Sequence, residues 1–350
     1  MATHPESEAD DYSDAAGLLA GESSPVVTLQ ADVRAAGERL DRYVASCLAD
    51  VSRAQVQRWI ALGAVEVDGT ARSAKTRLAG CERIRVVPLP READGAFLPD
   101  PVPLRIVHED EDLMVVDKPA GLVVHPAAGN WRGTLLNGLL HHRPDAAQLP
   151  RAGIVHRLDK DTSGLMAVAR SERAVARLVA QLAERTVKRG YLALAEGTLD
   201  APLTVDAPIG RDPAERVRMA TLRAGGKPAR THLQPVAQGA IGAVPVTLAL
   251  CRLETGRTHQ IRVHLRHVGC PIVGDAVYGR RLARVAAIGR QALHAWRLAL
   301  RHPRDESAMQ WESPPPADVC AALRAAGIEP DVAVAAAHRL DAAFDTVQPR

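Results

Sequence analysis

The chain has 350 residues and a mass of 37.4 kDa, more than one average domain of about 100–150 residues, so two folded units with tails are expected. An apolar fraction of 47% and a charged fraction of 24% exclude wholesale disorder, collagen and coiled coil, and no apolar run reaches the roughly 18 to 20 residues of a membrane helix. The formal net charge of +3 hides a division along the chain: residues 1–33 hold seven acids and no base, residues 34–90 ten Lys/Arg against six acids, residues 151–191 nine against four, and residues 252–304 eleven against two. Blocks of that kind suit a polyanion such as nucleic acid, although a solvated basic face has the same composition.

Residues 1–33 show no helical or strand periodicity and read as a disordered acidic tail. Leu40, Val44, Cys47 and Leu48 then share a helical face, and Ser52-Arg53-Ala54-Gln55 reads as a capping box that opens a second helix. Val56, Trp59 and Ile60 form its apolar stripe and Gly63 ends it. Short strands over 64–68 and 82–87 complete a helix-helix-strand unit over residues 34–87.

Arg39-Leu40-Asp41, Ser52-Arg53 with Gln55-Val56, and the run Gly63 to Gly69 resemble the small RNA-binding domain named after ribosomal protein S-four. The resemblance implies phosphate contacts from Arg53, Arg58, Lys75 and Arg77. The family's Gly-Asp before the last strand is Gly80-Cys81 here.

Five prolines within 88–103 bar any regular element and mark a linker. Beyond it, strand-like runs over 104–108, 113–117, 165–169, 191–195 and 247–253 are interspersed with helical patterns over 135–142 and 172–182. The order is not a steady βαβ alternation, so the expected class is α+β with a mostly antiparallel sheet over 104–303. Residues 304–350 read as an Ala-rich tail with one helix over 318–326.

Polar residues crowd between apolar runs at Lys118 to Gly121, Val124 to Pro126, Val155 to Gly164, Lys188 to Tyr191 and Thr255 to His264. Asp159 falls in a loop, with Thr162-Ser163-Gly164 as turn chemistry before the next strand; taken alone, such an Asp is far more often a turn or cap residue than a catalyst. Ile261, Leu265 and Val268 share one helical face and His259, Arg262 and Arg266 another. The spacing of His259, His264 and His267 lacks the i,i+4 pair and Glu of H-E-x-x-H, so no metal is expected.

The run Gly153 to Gly164, Thr255 to Arg262, and Pro271 to Asp275 with Tyr278-Gly279 together resemble the RluA family of pseudouridine synthases, and the small domain in front is similar to that of its RluD-type members. The resemblance implies a mixed β-sheet catalytic domain with an RNA cleft that isomerises uridine to pseudouridine in large-subunit ribosomal RNA, without cofactor or metal. Asp159 matches the family's catalytic carboxylate, Arg157 the side chain that fills the gap left by a flipped base, Tyr191 the aromatic ring under that base, and Arg262 the partner of the carboxylate. A non-catalytic RNA-binding assembly factor and a glycosidase releasing free uracil stay open as alternatives. An odd number of cysteines without C-x-x-C spacing and the absence of Lys or Arg before Arg34 point to a cytoplasmic protein, and a monomer acting on ribosomal RNA or a pre-ribosomal particle is expected.

Overall fold

The computed structural model describes residues 26–49, 51–89, 95–215, 218–282 and 288–347. The chain divides into two compact units, Met1–Asp94 and Gly95–Arg350, so the boundary falls inside the Pro-rich linker read from the sequence.

The first unit runs β1 (Val27–Gln30), α1 (Leu40–Cys47), α2 (Arg53–Ala61), β2 (Val65–Val67), β3 (Thr70–Ala71) and β4 (Arg83–Val86). Its strands form an antiparallel sheet in the order β1-β4-β2-β3. Leu40 and Val44 lie one turn apart on α1 and pack with Val56, Trp59 and Ile60 of α2 against Val65, Ile84 and Val86. Ser52 caps α2 by accepting from the amide of Gln55, as its position before the apolar stripe predicts. The acidic tail is shorter than the sequence implies. Val27 to Gln30 pair along the whole of β4 and Ala31 is buried, so the segment belongs to the sheet; four residues of edge strand are too short for their alternation to stand out. Residues 1–25 of the predicted tail lie outside the described residues.

In the second unit, β5 (Ile106–Glu109), β6 (Leu113–Lys118), α3 (Leu135–His142), β7 (Ser163–Ala169), α4 (Glu172–Ala183), β8 (Lys188–Glu196) and β9 (Leu203–Asp206) are followed by β10 (Ile209–Arg211) and β11 (Met219–Thr221), a separate hairpin. Then come β12 (Arg230–Ile241), β13 (Val244–Leu253), α5 (Gln260–His267), β14 (Leu293–Arg301), β15 (Ala308–Glu312), α6 (Ala317–Ala325) and α7 (Pro330–Val347). Nine strands form one sheet in the order β5-β6-β7-β14-β8-β13-β12-β9, with β15 also paired to β14. β7 and β14 run parallel and the other neighbours antiparallel, which is the mixed, mostly antiparallel sheet expected.

Both faces of the sheet are covered where it is central, so β6, β7 and β8 read as continuous apolar runs. Met114, Val116, Met166 and Val168 point to the larger core under α3, while Leu113, Val115, Leu165, Ala167 and Ala169 pack on Ala174 and Leu178 of α4. Gly164 sits at φ 117°, where a Cβ would lie 2.1 Å from the carbonyl oxygen of Ala295. Only glycine lets β14 approach there, so Ser163 and Gly164 open β7 rather than forming the turn read from the sequence.

Residues 304–350 are not a tail. β15 extends the sheet, and Val319, Ala322, Leu323, Ala333 and Ala337 from α6 and α7 are buried in the larger core. Asp341 of α7 receives both Arg252 of β13 and Arg297 of β14. Alanine-rich faces bury little area per residue, so their apolar periodicity is faint in the sequence although the packing is extensive.

Candidate active site

Asp159 lies in the segment between Ile154, which bridges to Val168, and the start of β7. The amide of Thr162 donates to the carbonyl of Asp159 (3.1 Å) and closes a tight turn. From the neighbouring loop, the Gly121 amide and the Lys118 ammonium both donate to the carbonyl of Lys160 at 2.9 Å. Lys118 is fully buried and also donates to the carbonyls of Pro119 and Leu122. Burial pushes this ammonium down to about 7 against the pull of Asp161 and Asp159. Three carbonyl acceptors occupy three N–H groups only when the amine is charged, and they clamp the two loops together. Lys118 therefore fixes the loop that carries Asp159 against the loop after β6.

The carboxylate of Asp159 is 16% exposed, and its Oδ2 accepts from Nη1 of Arg262 at 3.0 Å. Among the described residues, Oδ1 has no protein donor, which leaves it for a substrate. Arg262 is in the first turn of α5, a helix seated by Gln260: the Gln260 amide group accepts from the Arg257 amide and the Thr255 hydroxyl and donates to the Arg230 carbonyl and the Thr231 hydroxyl. His259 occupies the left-handed region (φ 57°) as the chain enters the helix.

Arg262 is not dedicated to Asp159. Its fork, Nε at 2.7 Å and Nη2 at 3.0 Å, grips the fully buried Asp275, so Asp159 takes only one arm instead of both. Burial pushes Asp275 up, but the hydrogen bonds and charge of Arg262, with the amides of Tyr278 and Val277, outweigh it and hold the carboxyl below its ordinary value. Burial also pulls Arg262 down, and its two carboxylates more than reverse that. Asp275 stands in a motif that the sequence singled out without a role; its use as the anchor of Arg262 becomes visible only when α5 and the segment after residue 270 are brought together. The Arg262 guanidinium also lies 5.0 Å from the centre of the Tyr278 ring. The Tyr278 hydroxyl accepts from the Met219 amide and shares a hydrogen bond with Nδ1 of His259, tying the β10–β11 hairpin to this centre.

Tyr191 is in the middle of β8, opposite Cys251 on one side and Ala295 on the other, and is 5% exposed. Burial pushes its phenol up and the Asp159 charge adds to this, against the pull of Arg189, so it stays protonated. Arg157 is exposed, and its charge reaches both His125 and His259. The structure thus brings Asp159, Arg262, Tyr191 and Arg157 into one neighbourhood. His259, His264 and His267 do not converge: His264 is buried between the Thr231 hydroxyl and the Ala207 carbonyl, His267 bonds Thr221, and His259 bonds Tyr278.

In the first unit, Arg53 donates to the buried Asp41, which also receives Arg39 and Gln57. The Arg39 hydrogen bond leads in holding the Asp41 carboxyl far below the usual range, against its burial. Arg53 is half exposed at this anchor, Lys75 and Arg77 are exposed, and Arg77 also donates to the Gly37 carbonyl. Arg58 lies in the last turn of α2.

A carboxylate steadied by a buried guanidinium close to a protonated phenol is suited to making and breaking a glycosidic bond. A family model described as RNA pseudouridylate synthase matches residues 112–267, and one described as S4 domain matches residues 38–84. The ribosomal large subunit pseudouridine synthase D of Nitrosomonas europaea is 49% identical over 319 residues, covering 89% of this chain and 91% of the relative. Its namesake from Escherichia coli K12 is 44% identical over 295 residues, 81% and 89% of the two chains. Among solved structures, human RNA pseudouridylate synthase domain containing 1 matches with a TM-score of 0.50 at 30% identity, over 61% of this chain and 84% of its own. The chain belongs to the RNA pseudouridylate synthase family, with an S4 domain ahead of its catalytic domain.

Proposed function

We propose that this enzyme isomerises uridine to pseudouridine in large-subunit ribosomal RNA, in the cytoplasm and as a monomer, with Asp159 as its catalytic carboxylate. The observation that carries the assignment is the Asp159–Arg262–Asp275 chain, in which Arg262, forked on the buried Asp275, holds Oδ2 of Asp159 with one arm. The substrate follows from the names of the relatives together with the basic blocks and the S4 domain.

The reaction breaks the bond from ribose C1′ to N1 of uracil, turns the base, and joins C1′ to C5. The proton on C5 leaves and N1 gains one, so atoms balance with no oxidant, reductant or added group. Asp159 supplies the charged oxygen that acts on the ribose–base unit, as nucleophile or as base. Arg262 keeps that oxygen oriented while RNA excludes water. The target must leave its stack, at a cost of a few kcal/mol. The exposed guanidinium of Arg157 fills the space it vacates, and the Tyr191 ring supports the extruded uracil, its hydroxyl helping to move the C5 proton. Arg53, Arg58, Lys75 and Arg77 contact phosphates from the S4 domain.

Digestion of treated ribosomal RNA to nucleosides tests the assignment. Pseudouridine is expected at the expense of uridine. Free uracil would make the enzyme a glycosidase, and unchanged nucleosides with tight binding would leave only an RNA-binding factor.

A further inference from the structure

The three residues before and at the start of β7 (Asp161, Thr162 and Ser163) are each gripped by one short segment that the chemistry above does not use. Arg290 Nη1 donates to the carbonyl of Asp161 at 2.9 Å, and to those of Gln291 and Leu293 at 3.2 Å. Its Nη2 reaches the Ser163 hydroxyl (3.3 Å). Gln291 donates to the Thr162 hydroxyl (3.3 Å), and Nδ1 of His294 shares a hydrogen bond with the Ser163 hydroxyl (3.0 Å). His294 is buried and its Nε2 faces the Ser313 carbonyl at 2.9 Å, so Nε2 carries the proton and Nδ1 accepts from Ser163. Thr162, Ser163, Arg290, Gln291 and His294 are all at most 9% exposed. The remaining donors of Arg290 form a second fork, on the two oxygens of Asp318 at 2.7 and 3.0 Å, in the first turn of α6.

We propose that Arg290 is a positioning residue for Asp159, and that Asp318 completes the brace, so that the C-terminal helix α6 is part of what makes the catalytic turn rigid. The proposal rests on Asp159 being the catalytic carboxylate. A turn whose backbone carbonyl and two hydroxyls are held by buried donors places the carboxylate two to four residues upstream at one depth and angle, which is what a reaction at a single glycosidic carbon needs. Asp318 fixes the planar Arg290 by both of its oxygens, and lysine offers no such fork. The segment that the sequence gives as a tail thus reaches the reacting group through one arginine.

The test uses the full chain with Asp318→Ala, Asp318→Glu and Arg290→Lys, measuring kcat and KM on a ribosomal RNA fragment and amide hydrogen exchange over residues 160–163. Asp318 is partly exposed, so its variants fold even where Arg290→Lys does not. Asp318→Ala is expected to lower kcat about tenfold with KM within about threefold, and to speed exchange in the turn. Asp318→Glu should recover most of the loss, and Arg290→Lys combined with Asp318→Ala should be no worse than Arg290→Lys alone. An unchanged kcat in Asp318→Ala, or a lowered kcat with no change in exchange, overturns the brace. Asp159→Asn, assayed alongside, separates the two ideas: full turnover there removes the role of Asp159 itself, whereas an inactive Asp159→Asn with a normal Asp318→Ala removes only the brace.

Discussion

Replacing Arg262 with lysine tests how the centre is held. Arg262 makes three directed hydrogen bonds to two carboxylates, two to Asp275 and one to Asp159. Lysine keeps the charge but concentrates it on one nitrogen at the end of a flexible stem. It cannot satisfy both oxygens of a fully buried Asp275 and still reach Asp159. Removing one partner from a buried pair costs about 3–5 kcal/mol, and a lysine that retains part of the attraction reduces this to about 2–4 kcal/mol. The pH dependence has a definite sign. Asp275 has its carboxyl lowered in the folded state, so the stability it contributes is present above the ordinary carboxylate range and is lost as pH falls through the folded value. Weakening the pair raises that folded value, so Arg262→Lys should begin to lose stability at a higher pH than the parent. Urea unfolding at pH 7 and at mildly acid pH measures both effects. With saturating enzyme in single turnover, conversion should slow by about tenfold or more because Asp159 has lost its directed donor. Unchanged stability and a normal rate, with RNA binding weakened instead, would make Arg262 a phosphate contact and dissolve the Asp159–Arg262–Asp275 chain.

His156 is partly buried, its Nε2 accepts from the Ala167 amide at 2.9 Å, and the imidazole is pushed down to about 3 by desolvation, with Arg189 adding to the shift. The unfolded chain takes up its proton near pH 6.5 and the folded chain does not, so stability falls as pH drops below about 6.5, by roughly 2 kcal/mol from this residue at pH 5. His156→Gln should flatten that limb of the stability curve, and an unaltered curve counts against the burial argument. Deleting residues 1–94 should leave the second unit folded but weaken RNA binding, with the log-log salt slope falling by up to about one unit for each phosphate that the S4 domain no longer neutralises. Equal affinity and slope would show that the S4 domain binds something else. Lys118→Met leaves three buried carbonyls without this donor, so a loss of about 2–4 kcal/mol in denaturant unfolding is expected, together with slower turnover; parental values of both would mean that the two loops are held in another way.

Much of this architecture is legible before any coordinates. The helices of the S4 domain follow from apolar positions one turn apart and a serine cap, and β6, β7, β8 and β13 from short apolar runs, whereas β14 at the centre of the sheet and β12 are not among the runs read from the sequence. Asp159 and Arg262 stand in motifs dense enough to mark them, and the structure puts them 3.0 Å apart although 103 residues separate them in the chain. What the sequence hides is whatever depends on a partner distant in the chain. Asp275 looks like a loop residue until the Arg262 fork is seen on it, and Arg290 like one more surface arginine in a basic block. The C-terminal segment reads as a tail with one helix because alanine declares its burial weakly, and β1 as part of the acidic tail because four residues at a sheet edge carry almost no pattern. Ser163 and Gly164 have turn-like composition, yet the close approach of Ala295 requires that glycine within a strand.

The most direct measurement is tritium release from RNA carrying 5-tritiated uridine, with parent enzyme and Asp159→Asn compared in single turnover. The amide keeps the shape of the side chain and loses its charge and basicity, so RNA binding should persist while release and pseudouridine formation fall by at least about a hundredfold. Release within about tenfold of the parent, with pseudouridine still appearing in the RNA, would contradict the role given to the Asp159 carboxylate.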